Sequence, residues 1–167
     1  MNKKALLTAG LAAIFALGPL VAAQAATLSP SMSKQLVYLV QEEKLARDVY
    51  TTLYARTGVR QFKNIASAEQ SHMSQVEALL RTYGIADPTI GLAAGSFKDA
   101  SLTALYKKLV ANGSTSAAAA LASGVAIEKK DINDINTLMQ ENPPTDISAV
   151  LVNLRNGSQR HLAAFSR

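Results

Sequence analysis

The chain has 167 residues, with 17 Lys and Arg against 12 Asp and Glu, and a formal net charge of +5. It contains no Cys, which excludes disulfide bonds, and only 5% of its residues are aromatic. The basic residues are scattered rather than gathered on one stripe, which argues against nucleic acid as a partner. The abundance of Ala and Leu favours helices over a β-sandwich, and the length suits a single domain.

The N-terminal segment has the pattern of a secretory signal peptide. A short basic start precedes an almost wholly apolar stretch over residues 5–23, which ends in the small-x-small sequence AQA. An uncleaved membrane anchor is the alternative, but Gly18 and Pro19 interrupt the apolar stretch. We therefore expect residues 1–25 to be removed. The mature protein would be periplasmic or secreted, with no stable membrane anchor.

The first long helix is predicted after a polar, turn-like linker over residues 26–33. Within this linker, Ser31 or Ser33 can cap the helix. From there to Arg56 the apolar residues recur with a period of 3.6 rather than 2, which is typical of a helix. Gly58 provides a stop signal at its C-terminal end.

A second long helix is predicted from about residue 63 to 83, where Gly84 ends it. Residues 84–98 contain several Gly and Pro residues and are predicted to form a loop. A short helix follows over about residues 99–111. The second and third long helices are therefore separated by a connection of unusual length.

The third long helix begins after the Ser-Thr-Ser run at 114–116, which can cap it, and stops before Pro143. The fourth spans about residues 146–165, with Thr145 as its expected cap. Short loops join the helices of each pair, and such loops connect antiparallel neighbours. One long connection is typical of a ferritin-like bundle rather than a simple up-down bundle. We expect an all-α, ferritin-like four-helix bundle with a long crossover that contains a short extra helix.

Each long helix also carries an acidic residue or a His on its predicted inner face. On the first helix either Glu42 or Glu43 can face inward, and both histidines of the chain belong to the set. Buried carboxylates repel one another unless a cation lies between them. Carboxylates combined with imidazoles suit two divalent transition metals in a helical bundle. The candidate metal ligands are therefore Glu42 or Glu43, together with Glu69, His72, Glu128, Asp131 and His161.

Taken singly, these residues have ordinary explanations. The Glu42–Glu43 pair resembles a solvated patch, and Glu128 beside two lysines resembles a salt-bridged surface. A lone His161 near the chain end is typical of a packed histidine. Only the combination on four helices favours a metal site. Tyr50 could hydrogen-bond close to it, although packing in the core is the more common role for such a Tyr.

Several segments that contain these residues resemble segments of known proteins. The sequence EKLARDVY, from Glu43 to Tyr50, resembles the first helix of rubrerythrin-like proteins, and FKNIASAEQSH, from Phe62 to His72, resembles their second. Together with AIEKKDI and GSQRHLAAF, they are similar to a bacterial family of ferritin-like proteins catalogued as domain of unknown function 2202. The resemblance covers residues 34–166 and implies a ferritin-like domain over 34–167.

The resemblance implies one ligand set. In helix order, the ligands would be Glu43, Glu69 as a bridge with His72, Glu128, and His161. Rubrerythrin-like proteins have a Glu three residues before the last His, but here Ser158 stands at that position. We hypothesise that Asp131, one turn beyond Glu128, supplies the missing carboxylate. The absence of Cys excludes a rubredoxin-like electron relay.

The expected function follows from this ligand set. We expect an exported protein with two divalent transition metal ions, iron being favoured over manganese. Such a centre could oxidise Fe(II) with dioxygen or peroxide, or remove peroxide. The alternatives are a non-catalytic binding or structural bundle with a vestigial site, and a metal buffer without turnover.

Overall fold

The computed structural model describes residues 27–167, so the predicted signal peptide lies outside the described residues. This part of the chain forms five helices and no strand, which confirms the all-α prediction. The helices are α1 Pro30–Thr57, α2 Arg60–Thr82, α3 Ala100–Gly113, α4 Ala117–Met139 and α5 Thr145–Phe165. Among residues 27–167, none of the helices combines the length and apolarity needed to cross a membrane.

The N-cap residue differs from prediction at two helices, and α2 begins at Arg60, three residues before its predicted start. Ser29 caps α1, because its side chain accepts a hydrogen bond from the Met32 N–H at 3.1 Å. α1 therefore includes the last residues of the predicted linker, and Ser31 lies in its first turn. α5 begins at Thr145 itself, so Pro144 and not Thr145 occupies the cap position.

Other helix ends follow the sequence signals. Ser116 caps α4 by accepting the Ala119 N–H at 3.0 Å, as the Ser-Thr-Ser run predicts. Gly58 ends α1 in the left-handed conformation with φ of 69°, which Gly adopts without the steric cost of a Cβ. Its N–H donates to the Tyr54 carbonyl at 2.9 Å. These signals are local, so the sequence alone is enough to place them.

The four long helices contact one another in a ring, α1 with α2, α2 with α5, α5 with α4 and α4 with α1, and α3 packs on α1 and α4. Two contacts show that α1 and α4 are antiparallel: Ser31 with Glu141 at one end, and Tyr50 with Glu128 further along. Since a short turn also makes α2 antiparallel to α1, α2 and α4 run in the same direction. The connection over residues 83–116 must therefore return along the length of the helices.

The interior is divided into two apolar clusters with a polar layer between them. One cluster, near the start of α1, includes Leu36, Leu80 and Leu151. The other includes Tyr50 and tilted aromatic rings from α2 and α5, and α3 closes it. On each long helix, the chain between these clusters carries buried polar side chains: Glu43 on α1, Glu69 and His72 on α2, Glu128 and Asp131 on α4, and Ser158 and His161 on α5.

A separate polar network holds the long connection against α1. The Lys44 ammonium, only 1% exposed, donates to the Asp48 carboxylate at 2.5 Å and to the Ala93 carbonyl at 2.9 Å. Asp48 also accepts the Gly95 N–H at 2.9 Å and the Arg47 guanidinium at 2.7 Å. Because these charges are paired and hydrogen-bonded, their burial is tolerated. The network orders the chain that leads into α3.

Candidate metal centre

The polar layer contains a compact group of carboxylates and imidazoles. On α2, Glu69 and His72 are one turn apart and face the same side, because helix positions i and i+3 are neighbours. His72 Nδ1 lies 2.9 Å from Glu69 Oε2 and 3.4 Å from Glu43 Oε2 on α1. One ligand atom from each of these three residues lies within 4.8 Å of the other two. They form the first group.

A second group contains Glu69, Glu128 and His161. His161 Nδ1 lies 2.8 Å from Glu69 Oε1 and 3.6 Å from Glu128 Oε1. These three residues also offer ligand atoms within 4.8 Å of one another. Glu69 belongs to both groups, and its two oxygens face different histidines. The centroids of the two imidazole rings are 5.5 Å apart. A carboxylate placed in this way can bridge two ions.

Asp131 lies beside the groups but in neither of them. Its Oδ2 accepts the Ser158 hydroxyl at 2.5 Å, and Ser158 also donates to the Leu154 carbonyl at 3.0 Å. Asp131 is close enough to Glu43 for its charge to raise the pKa of Glu43. The structure thus joins Asp131 to Ser158, the residue that stands where the rubrerythrin-like pattern has a Glu.

Of the two neighbouring glutamates on α1, the structure brings Glu43 to the cluster. Glu42 instead contacts the Lys130 ammonium, which lies 2.5 Å from Asp134. Lys130 also lies over the Tyr38 ring, with 4.9 Å between the nitrogen and the ring centroid. Glu42 therefore belongs to an ion-paired group between α1 and α4, and not to the two groups of carboxylates and imidazoles.

Tyr50 combines the two roles that its sequence position suggested. It is fully buried and donates a hydrogen bond to Glu128 Oε1 at 2.6 Å. Its ring also packs against Phe62 and Phe165, at centroid distances of 5.5 and 5.1 Å. The hydroxyl orients the Glu128 carboxylate, while the ring belongs to the apolar cluster that α3 closes.

Gly157 contacts the cluster directly, which the sequence patterns did not predict. A Cβ at this position would lie closer than 3.0 Å to Cε1 and Nε2 of His72. The edge of the imidazole thus rests directly on the α5 backbone. The available signal was a small residue one helical turn before His161, but many helical glycines lack such a contact. Only the packing of α5 on α2 shows its role.

Burial sets the pKa values of three carboxyl groups in the layer. It raises the pKa of Glu43 well above its usual range, and the charges of Asp131 and Glu69 add to the effect. It raises the pKa of Glu128 to about 8 and that of Asp131 to about 7, and in both the Glu69 charge adds to the rise. Without a cation, these carboxyl groups retain protons near neutral pH.

The pKa values of Glu69 and His161 shift in the directions expected for an ion pair. Burial alone would raise the pKa of Glu69, but the imidazoles of His161 and His72 lower it to about 2. For His161 the signs are reversed: burial alone would lower its pKa, but Glu128 and Glu69 raise it to about 9. The proton on His161 thus partly neutralises the acidic cluster when no metal is bound.

The donor set and its unsatisfied atoms fit a pair of divalent ions. In residues 27–167, five buried polar side-chain atoms lack a hydrogen-bond partner, and four of them belong to this layer: Glu43 Oε1, Glu69 Oε1, Asp131 Oδ1 and His161 Nδ1. Although Glu69 Oε1 and His161 Nδ1 lie only 2.8 Å apart, they are not aligned as a hydrogen bond. Two divalent charges would balance the four carboxylates. Such unpartnered atoms are rare in proteins unless a ligand satisfies them.

Comparison with known proteins identifies the family. The uncharacterized protein domain DUF2202 matches residues 33–167. The uncharacterized protein MJ0754 of Methanocaldococcus jannaschii is 42% identical over 140 residues, which cover 84% of this chain and 76% of that protein. The crystal structure of the hypothetical protein MJ0754 from Methanococcus jannaschii superposes with a TM-score of 0.81 at 42% identity, covering 83% of this chain and 79% of that one. The chain belongs to the DUF2202 family.

Proposed function

We propose that this protein is an exported, ferritin-like protein with a dinuclear iron or manganese centre. The observation that carries the proposal is the position of Glu69, which is shared by two buried groups that each contain a carboxylate and an imidazole from another helix. The helix order supports the ferritin-like assignment, because two antiparallel pairs are joined by one long connection. The signal-peptide pattern of residues 1–25 supports export.

The donor types favour iron or manganese. Calcium and magnesium are usually bound by oxygen ligands alone, whereas each group here contains one imidazole. Soft-metal sites use thiolates, and this chain has no Cys. Carboxylates with imidazoles in a helical bundle are the ligands of dinuclear iron and manganese proteins. Iron is the first candidate because the proposed reaction is the oxidation of Fe(II) itself.

Within this proposal, each residue has a defined task. Glu43 and His72 would hold one ion, Glu128 and His161 the other, and Glu69 would bridge them. Bound iron would supply the redox chemistry, in which two Fe(II) ions become Fe(III) while dioxygen takes two electrons and two protons and leaves as hydrogen peroxide. The protein would place the ions close together, exclude bulk water and orient Glu128 through the Tyr50 hydroxyl.

Asp131 is proposed to supply the fourth carboxylate. Ser158 holds Asp131 Oδ2, while Asp131 Oδ1 is buried without a partner. We expect Asp131→Asn to lower the metal stoichiometry or the affinity of one ion. Asp134→Asn is the matched control, since Asp134 lies on the same helix but pairs with Lys130. Equal metal content in the wild type and Asp131→Asn would show that Asp131 is not a ligand.

Elemental analysis and anaerobic Fe(II) titration of the mature protein test the main proposal. We expect about two equivalents of metal in the wild type and a loss of both in Glu69→Ala, because the bridge serves both ions. Glu77→Ala, two turns further along α2, should bind as the wild type does. An absence of metal, with thermal stability unchanged by Fe(II) or Mn(II), would favour a non-catalytic bundle. Tight binding without turnover would identify a metal buffer.

A further inference from the structure

A small cavity lies beside the candidate metal centre, between α1, α3 and α4. Its volume is about 60 Å³, whereas one water molecule needs roughly 10–15 Å³. It can therefore hold a small molecule of a few atoms. Its apolar walls are Leu45 on α1, Leu105 and Leu109 on α3, and Ile127 on α4.

The lining includes both an exposed residue and a residue of the polar layer. Ala126 is exposed. Asp131 is buried and carries the unpartnered Oδ1. The same Asp131 influences the pKa of Glu43 in the first group of ligands. A molecule in this cavity would thus lie beside Asp131, at the edge of the proposed centre.

The walls and charges decide which molecule fits. Apart from Asp131, the polar lining consists of Glu42 and Lys130, which are ion-paired with each other. The Lys130 ammonium would repel a metal cation that enters the cavity. Hydrogen peroxide would lose its hydrogen bonds to water between aliphatic walls, which costs free energy. Dioxygen is small, uncharged and makes no strong hydrogen bonds, so apolar walls do not oppose its passage.

We infer that this cavity admits dioxygen to the dinuclear centre, with Ala126 at its mouth. The inference rests on the proposed function and deepens it, because it assigns a route into the protein to one of the two candidate oxidants. It also gives α3 a role, because Leu105 and Leu109 line the cavity. The polar network around Asp48 holds the chain that leads into α3.

The test uses a bulky residue at the mouth. Ala126→Trp should close the cavity without changing a proposed ligand. Ala118→Trp is the matched control, because Ala118 is exposed on the same helix and does not line the cavity. Crystals of the metal-free proteins under xenon pressure should show xenon in the cavity of the wild type and of Ala118→Trp, but not of Ala126→Trp. Xenon occupies apolar cavities, so this measurement does not depend on turnover.

Kinetics then separates this inference from the proposed function. Metal stoichiometry is first measured without oxygen and should be equal in all three proteins. We expect Ala126→Trp to slow the oxidation of bound Fe(II) by dioxygen at least tenfold and by hydrogen peroxide less than twofold. Bound metal with an unchanged dioxygen rate, a cavity without xenon in the wild type, or equal slowing with peroxide would each overturn the inference. Absence of metal in all three would overturn the proposed function itself.

Discussion

The contact between Gly157 and His72 provides a sharp test of the centre. In Gly157→Ala, the new Cβ would lie closer than 3.0 Å to the imidazole, whereas ordinary contact begins at 3.4 Å. The ring must therefore move by at least about 0.4 Å, which exceeds the roughly 0.2 Å tolerance of a metal–ligand bond. We expect the affinity of the first ion to fall about 10- to 100-fold, as for other groups that position a ligand.

Gly124→Ala is the matched control for this prediction. Gly124 is also a buried helical glycine, and its Cβ would lie closer than 3.0 Å to the Phe165 ring, which is not a ligand. In both variants, overpacking costs about 1–3 kcal/mol, and the better helix propensity of Ala offsets up to about 1 kcal/mol. Their stabilities should thus be similar, and only Gly157→Ala should lose metal affinity.

Anaerobic calorimetric titration with Mn(II) or Fe(II) measures the affinity, and urea unfolding followed by circular dichroism measures the stability. Unchanged affinity in Gly157→Ala would show that His72 does not need its present position, and the assignment of His72 as a ligand would then be lost. Equal loss of affinity in Gly124→Ala would show that general loosening of the bundle, rather than movement of the imidazole, is responsible.

Three further predictions concern the surroundings of the centre. The metal-free protein should lose stability as pH rises from about 5 to 8. Folding raises the pKa of Glu128 from 4.5 to about 8 and that of Asp131 to about 7. The folded state therefore holds protons that the unfolded chain has already released in this pH range. Urea unfolding in chelator at several pH values measures this trend, and saturating metal should remove it. Asp48→Ala should lower the free energy of unfolding by about 3–5 kcal/mol, because it leaves the Lys44 ammonium buried without its carboxylate. Lys44→Met should lower it less, because Asp48 keeps its other donors. Equal losses of stability in urea unfolding would contradict this prediction. Tyr50→Phe removes a hydrogen bond that lowers the pKa of Glu128, so metal affinity should fall more at pH 6 than at pH 9, as titration at both values would show.

The local features of this protein can be predicted from its sequence. The 3.6-residue period, the Ser at position 116 and Gly58 were enough to predict the long helices and several of their ends, because periodicity and capping depend on residues a few positions apart. The α1 cap was misplaced, because several Ser residues near the start compete for the same role. The polar residues on the inner faces could also be found, since an interrupted apolar stripe is visible in one helix at a time.

Only the tertiary structure decided between residues that are neighbours in sequence. Glu42 and Glu43 point about 100° apart on one helix, so the rotation of α1 against α4 selects Glu43 for the cluster and turns Glu42 to Lys130. The pairing of Asp131 with Ser158 depends in the same way on how α4 packs against α5. A sequence determines which side chains share a helix face. Whether faces of different helices meet at one level depends on packing between residues that are far apart in the chain.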